Sequence, residues 1–225
     1  MVPKPDSLID RLLVRRLRDR IVRQADGRLP RPPAGATAVA MPLGSDWGWR
    51  PEVFCSPLPA PGTAPASSRT PIGAEVWLFH DCVSPELTLR QLRSTRAEDR
   101  APFGLRVDVL RFEGSFLSLA IDLPQDAARG LRRKHLVRLD ALFETEAPLG
   151  VFARLNVRHG PNVAQLVREV PPRAGPVAVD FDLAYTRLNE NRVEKLWLDL
   201  IFERPRVTRI TLRDVTLSRR PRAEV

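Results

Sequence analysis

Residues 193–203 read Val-Glu-Lys-Leu-Trp-Leu-Asp-Leu-Ile-Phe-Glu, and residues 207–217 read Val-Thr-Arg-Ile-Thr-Leu-Arg-Asp-Val-Thr-Leu. In the first stretch Leu196, Leu198, Leu200 and Phe202 share one parity, while Trp197, Asp199 and Ile201 take the other. A two-residue period is the period of a β-strand with one buried face. In the second stretch Ile210 and Leu212 share a parity, but Val215 and Leu217 have the opposite one. One extra residue around Arg213-Asp214, a β-bulge, would return all four side chains to a single face.

The same rhythm runs through everything after residue 74. It predicts strands near 74–80, 86–93, 104–113, 115–123, 134–145, 150–158, 163–170, 177–185, 193–203 and 207–218. Gly114, Gly160-Pro161-Asn162 and the Pro171–Pro176 run are turn signals between them. Residues 125–131 suit a short helix and 186–192 a polar loop. Eight to ten strands with few helices predict a mainly β fold, a two-sheet jelly-roll-type β-sandwich over 74–225.

Parity also sorts the outward side chains. In 150–158, Val151, Ala153, Leu155 and Val157 go to the core, and Phe152, Arg154, Asn156 and Arg158 oppose them. In 177–185, Val177, Val179, Phe181 and Leu183 go inward and Asp180 and Asp182 outward. Arg154 and Arg158 are natural partners for these aspartates if the two strands are close.

Upstream lie two different segments. Residues 1–28 carry Leu8, Ile9, Leu12, Leu13, Leu17 and Ile21 at helical spacing behind the capping residues Asp6 and Ser7. Arg11, Arg15, Arg18 and Arg23 line the opposite side. This amphipathic helix has three open roles: packing on its own domain, lying on an anionic membrane surface, or docking on a protein complex. Arginine interrupts every turn of the apolar stripe, which does not suit a secretory signal, and four aspartates do not suit a transit peptide. Cytoplasmic residence, with peripheral attachment to the inner membrane as an alternative, is therefore the expectation. Residues 29–73 form a proline-rich tether: ten of the 22 prolines fall between Pro30 and Pro71. Within it, Asp46-Trp47-Gly48-Trp49-Arg50-Pro51 reads as a strap laying two indoles on the domain, or as a partner-docking motif.

The 225 residues carry a formal charge of +9, and all but three of the 36 cations are arginine. More than half of the excess sits in residues 1–33, with nine cations against four anions. No recognised nucleic-acid motif accompanies the charge, so nucleic acid is not an expected partner. Two cysteines, Cys55 and Cys82, are too few for a disulfide scaffold. His80 and Cys82 could project from one strand face, but no second ligand pair exists, and neither metal nor cofactor is expected. Phosphate-loop, nucleophile-elbow and dinucleotide fingerprints are missing. The reading is binding rather than catalysis. Trp197, Asp199, Arg154, Asn156, Arg158, Asp180 and Asp182 are the ring, carboxylate, amide and guanidinium groups that recognise a carbohydrate or similar polar ligand. The alternative is a scaffold or assembly subunit acting through the helix and tether, at a membrane surface or protein complex.

Phe-His-Asp-Cys (79–82), Thr-Leu-Arg-Gln-Leu-Arg (88–93), Gly-Ser-Phe-Leu-Ser-Leu (114–119), Trp-Leu-Asp-Leu-Ile-Phe-Glu (197–203) and the Trp-Gly-Trp segment together resemble an uncharacterised alphaproteobacterial family of unknown function. The closing Ile-Thr-Leu-Arg-Asp-Val-Thr-Leu (210–217) is similar to the last strand of galactose-binding-like jelly rolls. That resemblance implies a sandwich more than it implies a sugar.

Overall fold

The computed structural model describes residues 39–64, 66–96, 98–171 and 175–222. The expected helix 1–28, with Arg11, Arg15, Arg18 and Arg23, lies outside the described residues.

All ten expected strands are present. They are β4 (Val76–His80), β5 (Glu86–Arg93), β6 (Phe103–Arg111), β7 (Phe116–Asp122), β8 (His135–Thr145), β9 (Val151–His159), β10 (Asn162–Glu169), β11 (Pro176–Asp182), β12 (Val193–Glu203) and β13 (Thr208–Pro221). Three short strands precede them: β1 (Trp47–Trp49), β2 (Gly62–Thr63) and β3 (Thr70–Ile72). The proline-rich stretch thus has more regular structure than fixed φ angles and missing donors suggested. Its prolines fall mostly between the strands or, as Pro71 does, on an outer strand, where a missing N–H is tolerated. Two one-turn helices complete the fold, α1 (Glu52–Cys55) and α2 (Gln125–Ala128), the latter inside the predicted helical segment.

The strands form two antiparallel sheets. Sheet A runs β11-β8-β13-β6-β5-β2, and sheet B runs β10-β9-β12-β7-β4-β3. Leu196, Leu198, Leu200 and Phe202 of sheet B face the core with Leu117, Leu119, Leu155 and Val157, all buried. Sheet A supplies Leu105, Val107, Val137, Leu139, Leu212, Val215, Leu217 and Phe181. Each such side chain contributes about 1.5–3 kcal/mol on burial.

β13 organises sheet A. Its pairing with β8 shifts register between Leu212 and Asp214, so the bulge inferred from parity is present. Along its other edge, β13 pairs first with β6 up to Leu212 and then with β1 from Leu217 to Arg219. Gly104 sits where β6 departs; an added Cβ there would lie 2.6 Å from the Leu212 carbonyl oxygen. Trp47 and Trp49 pack on the core, as a strap would. The strap is pinned by Arg219, whose guanidinium donates to Asp46 (2.9 and 3.2 Å) and to the carbonyls of Ala127 and Arg129.

Candidate functional site

The outer face of sheet B is set by strand pairing. Trp197 stands opposite Asn156 and Asp122, and Asp199 opposite Arg154 and Ala120. β10 places Gln165 beside Asn156 and Val167 beside Arg154. β4 places Trp77 beside Ala120. Trp77 on β4 and Trp197 on β12 lie on either side of β7, and since adjacent strands are about 4.8 Å apart they stand two strand spacings, roughly 10 Å, apart across the sheet. Both indoles are half-buried.

On the side of Trp197 away from Trp77, a fixed polar chain runs from β12 across β9 to β10. Arg154 donates Nε and Nη2 to Asp199 Oδ2 at 2.9 and 2.8 Å. Asn156 Nδ2 donates to the same oxygen at 2.8 Å, and Gln165 Nε2 donates to Asn156 Oδ1 at 2.9 Å. Asp199 and Asn156 are buried, so their geometry is locked before any ligand arrives. Arg158 shares this face but is exposed and stands opposite Lys195, which pairs with Asp122 at 2.8 Å. Four of the seven expected residues, Trp197, Asp199, Arg154 and Asn156, therefore converge. Gln165 belongs with them, and parity of β10 was the signal that could have found it; Trp77 shares the outer face on β4, beyond β7.

Asp180 and Asp182 do not join this group. β11 is the outer strand of sheet A, on the opposite side of the sandwich, and Asp180 stands opposite Arg138 of β8. Their ion-pair partners are Arg220 (3.8 Å) and Arg222 (3.4 Å), not Arg154 or Arg158. Asp182 also caps a helical turn by accepting from the Ala184 N–H. Parity fixes the face of a strand but not the sheet to which the strand belongs.

The outer face of sheet A holds a cleft of about 780 Å³ that the sequence reading missed. Its floor is Asp214, turned outward by the bulge, with Arg50 from the end of the strap. Arg50 Nε and Nη2 meet Asp214 Oδ1 and Oδ2 at 2.8 and 2.9 Å, and both side chains are buried or nearly so. Beside them, Arg213 donates to Asp99 and Glu144, Arg96 donates to Glu144, and Arg138 donates to Asp140. Burial pushes the Glu144 carboxyl up, but hydrogen bonds from Arg96 and Arg213 outweigh it and hold the group below its usual range. The hydrogen bond to Asp140 pushes Arg138 up, so its charge is permanent. Met41, Leu142 and Pro176 supply an apolar wall. Met41 packs over Gly48, and its flexible, half-exposed side chain could move aside for an added Cβ. Of the cleft residues only the bulge at Asp214 had a sequence signal; its partner Arg50 is 164 positions away.

The pair His80 and Cys82 is not presented together to solvent. His80 is buried edge-on to Phe112, and the Cys82 sulfur accepts the Glu113 N–H at 3.4 Å. Among the described residues no cluster of three or more His, Cys, Asp or Glu comes together as a metal site.

A family model for a family of unknown function, DUF6478, matches residues 10–225. The chain belongs to the DUF6478 family. No curated protein matches it by sequence. Among solved structures, this DUF6478 chain is similar to the enzymatically active domain of tailspike protein 4 of bacteriophage CBA120, at 5% identity and TM-score 0.45, over 64% of this chain and 19% of that one. It thus spans about a fifth of the tailspike domain. It is also similar to a family 11 carbohydrate-binding module from Clostridium thermocellum in complex with a β-1,3-1,4-mixed-linked tetrasaccharide: 9% identity, 67% and 91% of the two chains, TM-score 0.42. The same module of the cellulosomal cellulase Lic26A-Cel5E gives 10% identity, 70% and 94%, and TM-score 0.41.

Proposed function

We propose that this DUF6478 protein is a non-catalytic binding module for carbohydrate, and that the cleft on sheet A takes the ligand. The observation that carries this reading is the lining of the cleft. Five guanidiniums (Arg50, Arg96, Arg100, Arg138, Arg213) are matched by five carboxylates (Glu98, Asp99, Asp140, Glu144, Asp214). Formal charges cancel, so neither a polyanion nor a cation is favoured. A guanidinium bound through one or two N–H groups keeps others to donate, and a carboxylate oxygen keeps lone pairs to accept. Alternating donors and acceptors of this kind match vicinal hydroxyls, each of which donates to a carboxylate and accepts from a guanidinium. The Met41–Leu142–Pro176 wall suits the C–H face of a sugar ring. The volume lies within the range of small-ligand sites.

A second reading places the sugar on the opposite sheet. The Asp199–Arg154–Asn156–Gln165 chain beside Trp197 supports it, with Arg158 at its margin. A glycan array, followed by calorimetry with the best oligosaccharide, separates the two. Mixed-linked β-glucan and β-1,4-galactan fragments are suitable first probes. Loss of binding in Arg138→Gln and Asp140→Asn, with the Trp197→Ala/Asp199→Ala double variant unaffected, supports the cleft. The reverse pattern supports the Trp197 face.

A further inference from the structure

β10 is an edge strand unlike the others. Among the described residues, β1, β2 and β3 are only two or three residues long, and β3 contains Pro71. β11 begins at Pro176 and carries Asp180 and Asp182. Short length, proline and charge are the usual devices that stop a sheet edge from pairing with another chain. β10 has eight residues, no proline, and charges only at Arg168 and Glu169. Val163 and Val167 are 40% and 50% exposed. A groove of about 600 Å³ follows Asn162–Arg168 and is walled by the turn from Asp182 to Arg187.

The backbone on that edge is open in a defined phase. The Val170 N–H bonds the Val151 carbonyl, which puts the even-numbered residues of this segment in hydrogen-bonded pairs with β9. The odd-numbered residues Val163, Gln165 and Val167 therefore turn their N–H and C=O groups to the free edge, where the exposed Arg168 guanidinium donates to the Val167 carbonyl at 2.9 Å and must swing aside when a strand pairs there. Antiparallel pairing of two β10 strands centred on Gln165 places Val163 opposite Val167 of the other copy, and Val167 opposite its Val163. About six backbone hydrogen bonds form, and no like charges meet. Gln165 meets itself on the two-fold axis.

We propose that β10 is a homodimerisation edge: a second copy of this chain pairs with it antiparallel about Gln165, joining the two B sheets into one. A contact of one strand and two valine pairs buries less than the roughly 1,000 Å² of a stable interface, so the dimer is weak and concentration-dependent. This inference is independent of which face binds sugar.

The test is sedimentation equilibrium of the full chain from about 1 to 500 µM at low ionic strength, where unscreened charge acts over more than about 10 Å. The wild type is expected to pass from monomer to dimer across that range. Val163→Lys with Val167→Lys puts lysine opposite lysine and is expected to weaken association at least tenfold. Val163→Lys with Val167→Glu puts lysine opposite glutamate and is expected to restore it. Circular dichroism confirms that both variants fold, since each side chain is exposed. A wild type monomeric throughout, or a dimer that both double variants leave unchanged or both abolish, overturns the proposal.

Discussion

Arg50 and Asp214 form a two-pronged ion pair at 2.8 and 2.9 Å that ties the end of the Trp-Gly-Trp strap to the bulge of β13. The Arg50 side chain is 2% exposed and that of Asp214 11%. Removing one member leaves a buried charge without its partner. Asp214→Ala should therefore cost about 3–5 kcal/mol in chemical denaturation, and replacing both residues by apolar ones of similar volume should cost less. Equal losses for the single and double variants would contradict this account of the pair.

Gly104 tests the bulge itself. Its missing Cβ leaves room for the Leu212 carbonyl, and backbone cannot move aside as a side chain can. Gly104→Ala should cost about 1–3 kcal/mol, read as a lower denaturation midpoint with an unchanged slope.

The bulge also shows how much of this molecule was legible beforehand. Ile210 and Leu212 against Val215 and Leu217 revealed the slip, because one buried face forces register. The ten strands followed from the same period. The cleft did not. Arg50 lies before the regular pattern begins, and nothing in its neighbourhood names Asp214. Asp180 and Asp182 show the second limit, since parity placed them outward but could not say outward from which sheet. On β12, where Trp197, Asp199 and the neighbouring Arg154 and Asn156 all come from adjacent strands, the expected grouping was recovered.

Arg219 fixes the strap from the other end through four hydrogen bonds, two of them to Asp46. Its side chain is nearly buried, whereas Asp46 is largely accessible. Arg219→Ala should cost about 2–4 kcal/mol, because two backbone carbonyls also lose a charged donor. Asp46→Ala should cost about 1 kcal/mol or less. Hydrogen exchange should show Trp47–Trp49 opening in both variants before β8 does.

Acid should weaken the fold in two stages. Burial, and then the neighbouring Arg219, push His135 below its usual range, against the pull of Asp46. The unfolded chain therefore takes up that proton more readily, and stability falls as pH drops through the ordinary histidine value near 6.5. The Glu144 carboxyl, pushed up by burial but held down by Arg96 and Arg213, and Asp108, pushed up by burial but held down by Arg209 and Arg106, both remain ionised below the usual range. Their contribution is complete above the unfolded carboxylate value near 4 and is lost as pH falls through the lowered folded value. Thermal melts from pH 8 to 3 should show both stages, and His135→Gln should remove the first alone.

The central claim is that the paired guanidiniums and carboxylates of the sheet A cleft hold a neutral sugar. Titration calorimetry of the full chain, with the oligosaccharide selected on a glycan array, tests it most directly when repeated with Arg138→Gln and Asp140→Asn. The account predicts saturable binding by the wild type, at least a tenfold loss in each variant, and little dependence on salt. Binding that survives both substitutions, or a chain that retains no glycan from the array, would contradict it.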